Sequence, residues 1–364
     1  MTIRQVIEPL EQYAPLALQE SYDNAGLILG NLDTEVTAVL LCIDVTDQVI
    51  DEAIVRGCNL IISHHPLIFS GLKRINGSSY VERAIIKAIK HGIAVYSSHT
   101  NMDTVWGGVN VHVAAKLGLQ SVEILRPLQK QLVKVVTFVP SAHADAVRQA
   151  LFEAGAGHIG NYDSCSYNTM GEGTFRGQAD THPFVGEPLK LHFEPEVRIE
   201  TICERHKLSL VIRSLLQAHP YEEPAYDVYP LENTFDRAGL GVVGNLTQPA
   251  DSLEFLKYLK RVFNVPTIKH TALVKKSIQR VAFCGGSGSD LLSDAIRAKA
   301  DIYISADFKY HQFFNADGQI ILADIGHFES EQYTKEIFYQ ILTKNFPNFA
   351  VHFSEINTNP VNYL

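Results

Sequence analysis

Five histidine and carboxylate side chains in this sequence have types and spacings suited to binding metal: His64, His65, Asp103, His327 and Glu331. Adjacent histidines on an extended chain point in opposite directions, so the histidine pair can serve two neighbouring cations more naturally than one. His327 and Glu331 stand at positions i and i+4, which places an imidazole and a carboxylate on one face of a helix. A carboxylate can bridge two cations, and Glu331 is the candidate for that position. We therefore predict one pocket that binds two divalent metal ions per chain.

The donor types limit the chemistry of such a site. Imidazole and carboxylate ligands without a thiolate suit zinc, iron, manganese, cobalt or nickel rather than magnesium or calcium, and they leave the choice among these open. An exchangeable water between two such cations is a nucleophile near neutral pH that can attack a carbon or phosphorus centre. A metal-dependent hydrolase acting on a nucleotide or phosphoester is the leading hypothesis, with no catalytic residue assigned. The alternatives are a non-catalytic metal store, a metal-trafficking or regulatory protein, and a structural scaffold.

The first third of the chain supplies elements that can position one half of this site. Apolar, β-branched runs predict strands over 36–45, 58–66 and 94–103, and amphipathic helices lie between them. Parallel pairing is the default for this β-α-β-α-β pattern. His64 then lies where the second strand ends and Asp103 at the end of the third. Ligands of open α/β sheets collect beyond the carboxyl ends of strands, which is where we expect these residues to meet.

The last third repeats the scheme. A strand over 278–290 runs into a glycine-rich loop, and further strands are predicted over 301–307 and 319–325. A long helix is then predicted from His327 to residue 345. The sequence thus indicates two α/β lobes, 1–129 and 232–364, with mixed sheets that together form one metal-binding unit.

The segment between the lobes has a different pattern. Residues 130–231 read as strand, helix, a glycine- and aromatic-rich middle, then strand, helix and strand. This order fits a split β-α-β, ferredoxin-like α+β module. We interpret it as an inserted domain that contributes no metal ligand.

Composition excludes several classes of protein. With 40 acidic and 31 basic side chains and a net charge of −9, the chain lacks the electrostatic signature of a nucleic-acid-binding protein. No apolar run approaches the roughly 18–20 residues that span a bilayer, and the N-terminal stretch does not resemble a signal peptide, so we expect no membrane partner and a cytoplasmic location. The five cysteines form no CxxC pair, and we expect buried free thiols.

Four further features have two interpretations each. His99 can hydrogen-bond to a metal ligand or carry protons for the metal site, or it can be a structural histidine. The loop at 285–290 can hold a phosphate on its N–H groups, but without the lysine of a P-loop a tight turn is favoured. Residues 309–311 can reach a substrate or form a solvated turn. Residues 219–223 can bind a partner, or serve as a proline-fixed connection.

Six short motifs span both lobes: YDNAGL (22–27), HHP (64–66), SHTNMD (98–103), CGGSGS (284–289), ADFKYH (306–311) and GHFESE (326–331). In these motifs the sequence resembles a known family, the type 2 homologues of GTP cyclohydrolase 1, which are dinuclear-metal proteins named for a factor that interacts with the yeast regulator NGG-one. The middle segment resembles the PII- or CutA-like insertion of the longer bacterial members through GAGHIGNY (155–162) and AHPYEEPAY (218–226). The resemblance therefore covers nearly the whole chain.

The resemblance implies a ligand set and an assembly. The family's ligands fall on His64, His65, Asp103, His327 and Glu331, with the glutamate touching both metals. A toroidal homohexamer is implied, with metal pairs facing an internal cavity and inserted domains near its openings. The family name implies opening of the GTP purine ring, while a small-molecule effector of the PII-like domain belongs to the non-catalytic alternative. The departures from the family pattern, Phe328 and the pair at 111–112, touch no proposed ligand.

Overall fold

The computed structural model describes residues 1–364 and divides into two compact units. The first unit combines Met1–Pro127 with Asp236–Leu364, and the second is Leu128–Phe235. None of the helices combines the length and the apolar composition that crossing a bilayer requires. All five predicted metal ligands lie in the first unit.

The first stretch of chain alternates short helices and strands. In chain order they are α1 (Ile3–Tyr13), β1 (Gly26–Leu29), β2 (Val39–Cys42), α2 (Asp47–Val55), β3 (Leu60–Ser63), α3 (Tyr80–Lys90), β4 (Ala94–Ser97), α4 (Thr100–Thr104), α5 (Val109–Lys116) and β5 (Gln120–Leu128). Helix α1 begins at a capping box, in which the Thr2 side chain accepts from the Gln5 N–H and the Gln5 side chain accepts from the Thr2 N–H. Its buried residues recur at helical spacing and turn one face to the core: Ile3, Val6, Ile7 and Leu10.

The second unit contains four strands and two helices. They are β6 (Leu132–Pro140), α6 (Ala144–Glu153), β7 (Ser166–Phe175), β8 (His192–Glu204), α7 (Leu208–Ala218) and β9 (Tyr226–Pro230). The strands form an antiparallel sheet in the order β7-β8-β6-β9, which is a split β-α-β arrangement. Strand β7 was not predicted because it is largely exposed and contains Gly171 and Gly173, which weaken a strand pattern.

The remaining elements return to the first unit. They are β10 (Phe235–Asp251), α8 (Ser252–Phe263), β11 (Lys269–His270), β12 (Ser277–Ser287), α9 (Leu292–Arg297), β13 (Ile302–Ala306), β14 (Ile321–Asp324), α10 (His327–Glu331), α11 (Thr334–Asn345) and β15 (Val351–Phe353).

Two mixed sheets form the frame of the first unit. The first has the order β1-β4-β3-β2-β15, in which β15, β2, β3 and β4 run parallel and β1 is antiparallel to β4. The central strands β2, β3 and β4 are buried along their whole length, which explains their unbroken apolar runs. The second has the order β11-β14-β13-β12-β10-β5, with β12, β13 and β14 parallel. The prediction of an α/β protein with mixed sheets is confirmed.

The chain crosses between the two sheets. Strand β5, from the first third of the sequence, lies at the edge of the second sheet, and β15, from the C-terminal end, completes the first. Helix α11 also packs against α1 and β2 rather than staying with the strands that precede it. Both sheets are therefore built from sequence-distant segments, which fixes the two halves of the predicted site in one unit.

Two predicted elements near the site end differently from our expectation. The third strand ends at Ser97 and not at Asp103, because side chains take over the backbone hydrogen bonds: Asn101 Oδ1 accepts from the His99 N–H and Asp23 Oδ2 accepts from the Thr100 N–H. Asp103 therefore lies in the short helix α4.

The helix predicted over 327–345 is two helices, α10 and α11. Side chains satisfy carbonyls at the break, since Thr334 Oγ1 donates to the Glu331 carbonyl at 2.8 Å and Gln332 Nε2 donates to the Glu329 carbonyl at 2.9 Å. The interruption leaves His327 and Glu331 on a single helical turn of their own.

Candidate metal centre

The histidine pair lies just beyond the end of β3. The strand stops at Ser63, and His64 and His65 occupy the bend that follows. Ser63 Oγ donates to the His65 carbonyl at 2.8 Å, which stabilises this bend. Because the pair is no longer on an extended strand, the two rings do not point to opposite sides, and their centroids lie 4.9 Å apart.

Helix α10 presents the other half of the site next to the glycine-rich turn at the end of β12. Gly286 has φ +59°, and a Cβ there would collide with the Glu331 carboxylate. Two N–H groups of this turn are already used, since Gly285 donates to Asn110 Oδ1 at 2.9 Å and Gly286 donates to Ser330 Oγ at 2.8 Å. The turn is therefore a tight connection that makes room for Glu331, which agrees with the interpretation favoured over a phosphate cradle.

Glu331 Oε2 is the point on which the site converges. It lies 3.0 Å from His65 Nε2, 3.1 Å from His327 Nε2 and 3.6 Å from His64 Nε2. His64 Nε2 in turn lies 3.7 Å from Asp103 Oδ1. All five sequence-predicted ligands are thus brought together.

Three overlapping groups of three have donor atoms close enough to hold a cation: His65, His327 and Glu331; His64, Asp103 and Glu331; and His64, His65 and His99. Within each group, the donor atoms lie within 4.8 Å of one another. Glu331 is the residue common to the two groups that contain a carboxylate.

The hydrogen-bonding state of the donors tests whether cations fit. His64 Nε2, Asp103 Oδ1 and Glu331 Oε2 are buried and have no hydrogen-bond partner. Buried polar atoms in folded proteins nearly always have one, so three such atoms directed at one place call for an explanation. Divalent cations supply it, since all three are atoms that coordinate transition metals. The donor set therefore fits a metal centre.

Each histidine at the centre is held by its other ring nitrogen. His65 Nδ1 donates to Asp44 Oδ1 at 2.7 Å, and His327 Nδ1 donates to Asp307 Oδ2 at 2.6 Å. His64 Nδ1 donates to the Ser98 carbonyl at 3.1 Å. Partners of this kind fix the tautomer so that Nε2 is free to coordinate, and they increase the basicity of the ligand.

Asp44 and Asp307 were not predicted as site residues, although Asp307 lies in the ADFKYH motif. Asp44 follows β2 by two residues, and Asp307 comes directly after β13. Both therefore lie at carboxyl ends of parallel strands, the rule that located His64. Their positions at strand ends could have identified them. However, a single aspartate after a strand is common, and neither aspartate lies near its histidine partner in the sequence.

The C-terminal segment after β15 also supports the site. Thr358 Oγ1 donates to Asp44 Oδ2 at 2.6 Å, so that Asp44 connects the C-terminal segment to His65. Asn359 Nδ2 donates to Glu329 Oε1 at 2.9 Å and attaches the same segment to α10.

The pKa values of the five residues indicate that the metal-free site holds protons at positions where cations would bind. Burial lowers the pKa of His64. Burial also opposes ionisation of His65 and His327, but their hydrogen bonds to Asp44 and Asp307 and the negative charge of the nearby Glu331 outweigh it and raise the pKa of His65 to about 10 and of His327 to about 11. Burial and the neighbouring Glu331 raise the pKa of Asp103 well above its ordinary value. The imidazoles around Glu331 overcome its burial and hold its pKa well below the ordinary range.

His99 lies beside the five ligands. Its ring centroid is 5.2 Å from that of His64 and 5.3 Å from that of His65. His99 Nδ1 donates to Asp23 Oδ1 at 2.7 Å, and burial of Asp23 is outweighed by its hydrogen bonds to His99 and Thr100, so that its pKa falls to about 2. Asp23 is thus a further residue that sequence analysis did not assign, and its carboxylate leaves His99 Nε2 free on the side of the centre.

The other residues with two interpretations have structural partners. Tyr310 is exposed and its ring contacts His311 and Phe314 in a turn. His219, in the second unit, is buried, and both ring nitrogens are used: Nε2 with the Phe138 carbonyl at 2.9 Å and Nδ1 with the Tyr221 N–H at 3.1 Å. The structural interpretation accounts for the contacts observed at Tyr310 and His219.

The cysteines take no part in the donor set. All five are free thiols, and all but Cys165 are buried. Burial raises the pKa of Cys284, which lies next to the glycine-rich turn, so that it stays protonated at neutral pH. The expectation of buried free thiols holds for four of the five.

Removing a residue that hydrogen-bonds to a ligand histidine should weaken the binding of one cation and leave the binding of the other unchanged. We expect Asp44→Ala to weaken binding of the cation between His65 and His327 by about 10–100-fold, because His65 loses the carboxylate that orients it. Calorimetric titration with zinc or manganese would measure the two affinities separately. Asp33→Ala is the control, since Asp33 is an exposed partner of Arg4. Unchanged affinity in Asp44→Ala would show that His65 needs no such support.

The chain has clear relatives along its whole length. The sequence profile of the Duf34/NIF3 (NGG1p interacting factor 3) family matches residues 1–360. A Halalkalibacterium halodurans protein named "GTP cyclohydrolase 1 type 2 homolog" is 40% identical over 365 residues, covering 99% of this chain and 98% of that protein. A Bacillus subtilis protein of the same name is 38% identical over 367 residues, with the same coverage of 99% and 98%.

Solved structures agree with the sequence comparison. The crystal structure of a Bacillus cereus protein related to NIF3 is 37% identical, has a TM-score of 0.87, and covers 100% of this chain and 99% of that one. A Staphylococcus aureus protein, SA1388, is 32% identical with a TM-score of 0.79, and again covers 100% and 99%. The resemblance inferred from the sequence motifs is therefore confirmed, and the chain belongs to the Duf34/NIF3 family.

Proposed function

We propose that this chain is a dinuclear metal-dependent hydrolase that acts on a nucleotide or a phosphoester. The observation that carries the proposal is the position of Glu331 Oε2, which is buried, lacks a hydrogen-bond partner and lies 3.0–3.6 Å from three imidazole nitrogens. In this proposal His65 and His327 would hold one cation, His64 and Asp103 would hold the other, and Glu331 would contribute to both. When bound, two divalent cations per chain would supply Lewis acidity and make water a nucleophile near neutral pH.

The residues around the ligands determine where a proton can move. His99 is the histidine left over when the five ligands are assigned, and Asp23 holds its Nδ1. With Nδ1 fixed as a donor, Nε2 can accept a proton from water and return it to a leaving group. We therefore assign acid–base chemistry to His99 and the orientation of its ring to Asp23. An acid–base residue beside the ligands favours an enzyme over a simple metal store.

The proposed substrate class is based on the names of the relatives. Proteins 38–40% identical to this chain bear the name "GTP cyclohydrolase 1 type 2 homolog", which points to a purine nucleotide. Phosphoester and nucleotide substrates are equally compatible with hydrolysis at a dinuclear centre. We further propose a cytoplasmic, toroidal homohexamer in which the metal pairs face an internal cavity. The PII/CutA-like insertion, expected over 130–231, forms a domain that provides no ligand.

A panel of nucleoside triphosphates, including GTP, and aryl phosphoesters tests the proposal. We expect metal-loaded protein to turn over at least one compound, and His65→Ala to abolish turnover. His99→Ala should retain both metals yet turn over about 100-fold more slowly or worse, because only proton transfer is lost. His270→Ala, at an exposed histidine on edge strand β11, is the control.

The outcomes separate the two classes of function. Fully metallated protein that is inert on the whole panel would overturn the hydrolase proposal and leave a metal store or regulator. Turnover that survives in His99→Ala would remove His99 from the mechanism, and elemental analysis that finds no metal would leave a scaffold.

A further inference from the structure

The second unit contains a cavity of about 550 Å³ that has no part in the metal centre. The apolar core formed with α6 and α7 includes Val133, Val135, Val197 and Ile199. Phe138 and Arg198 alternate with these residues along β6 and β8, and therefore lie on the opposite face of the sheet. The cavity lies on that face, between β7 and the loops around residues 181–184 and 221–225. Its volume is within the range of small-molecule sites.

A buried carboxylate points into this cavity. Glu196 on β8 lines the cavity although it is only 7% exposed. Tyr221 Oη donates to Glu196 Oε1 at 2.8 Å, whereas Glu196 Oε2 has no hydrogen-bond partner in the chain. A Cβ at Gly173 on β7 would collide with this carboxylate, so the glycine makes space for it. Because Glu196 Oε2 is not sealed from the cavity, a donor group of a ligand can reach it in place of water.

The walls around Glu196 are aromatic. The Tyr221 ring lies 5.6 Å from the Phe175 ring and 6.5 Å from the Phe184 ring. Arg198 already lies over the ring of Phe138, 6.0 Å from its centroid, which shows a cation against an aromatic face in the same cavity. Aromatic faces attract cations, particularly where water is excluded.

The net charge of the residues that line the cavity also favours a cation. Four carboxylates line the cavity, at Glu172, Glu196, Glu222 and Glu223, against two guanidinium groups, at Arg176 and Arg198, which leaves two negative charges in excess. Arg198 is itself paired with Glu200 at 2.9 Å outside the lining. An anion such as a nucleotide phosphate would meet net repulsion here, whereas a cation is attracted.

We propose that this cavity of the second unit binds a small organic cation, an amine or amidine attached to an apolar body, whose N–H group donates to Glu196 Oε2. The apolar body packs between Phe175, Phe184 and Tyr221. The site is independent of the metal centre, because no residue is shared between them.

Benzamidine and benzamide provide a matched pair of probes for the full-length, metal-loaded protein. They have nearly the same shape, but only benzamidine carries a positive charge at neutral pH. By calorimetric titration we expect benzamidine to bind about tenfold more tightly than benzamide, or more, because hydrogen bonds to charged groups are the stronger ones. Glu196→Gln keeps an acceptor for Tyr221 and should abolish the preference for the charged probe.

Glu153→Gln, on α6, is the control and should bind both probes as the wild type does, because Glu153 lies outside the cavity lining. Three results would overturn the proposal: no binding of benzamidine, equal binding of the two probes, or an unchanged preference in Glu196→Gln. Metal content, measured on the same samples, should be the same in all variants. If a second copy of the chain covers the cavity in the assembled protein, benzamidine will not bind, and the site is then an interface instead.

Discussion

Glu331→Gln should remove both metal ions, whereas His327→Ala should remove only one. Glu331 is the residue that the donor group of His327 shares with the donor group of Asp103, and its Oε2 has no hydrogen-bond partner. The amide oxygen of glutamine is uncharged, so neither cation retains a carboxylate bridge. We expect both affinities to fall by more than the roughly 10–100-fold that accompanies loss of an outer-shell partner. His327 belongs to one group alone, so the cation near His64 and Asp103 should remain.

Elemental analysis after gel filtration measures the stoichiometry directly. Glu336→Gln is a matched control on the following helix, since Glu336 pairs with Lys116 and His112 and is not part of either donor group. Because glutamine has nearly the volume of glutamate, the fold should survive, and far-UV circular dichroism would check this. Retention of one metal in Glu331→Gln would show that the carboxylate does not bridge, and equal loss in both variants would show that the two positions fill cooperatively.

The location of the ligands could be predicted because local patterns determine it. Strand β3 is buried along its whole length and apolar up to Ser63, and the histidine pair follows it directly. His327 and Glu331 are close in sequence, so their common face follows from helix geometry alone. The exact end of β4 could not be predicted, since Asp23, 77 positions earlier, accepts the hydrogen bond from Thr100 N that starts α4.

The parts that escaped prediction depend on pairing between distant segments. Nothing in the sequence of β15 or β5 indicates which sheet it joins, because an edge strand of either sheet has the same alternating pattern. Asp44 and Asp307 acquire their role only when β2 and β13 bring them beside His65 and His327. The residues that orient the ligands can therefore be recognised only in the tertiary fold, whereas the ligands themselves can be predicted from the sequence.

Metal binding should release at least two protons per chain at neutral pH and should strengthen steeply with pH. In the metal-free protein the pKa of His65 is raised to about 10 and that of His327 to about 11, so both rings hold a proton throughout the neutral range. A cation can bind Nε2 only after that proton leaves. Below pH 10 the constant for complete loading should therefore rise about 100-fold per pH unit, and it should level off above about pH 11. Any proton held by Asp103, whose pKa is also raised, adds to this slope.

Calorimetric titration at one pH in two buffers with different ionisation enthalpies counts the released protons.

The same pKa values also predict how the stability of the metal-free protein changes with pH. A raised folded-state pKa stabilises the metal-free protein fully below the unfolded value near 6.5, and this stabilisation is lost as pH rises towards 10–11. The melting temperature of metal-free protein should therefore fall from pH 6.5 to pH 10, and added metal should restore it most at the alkaline end, where proton competition is weakest. Release of no protons on binding would mean that the cations bind elsewhere than at His65 and His327.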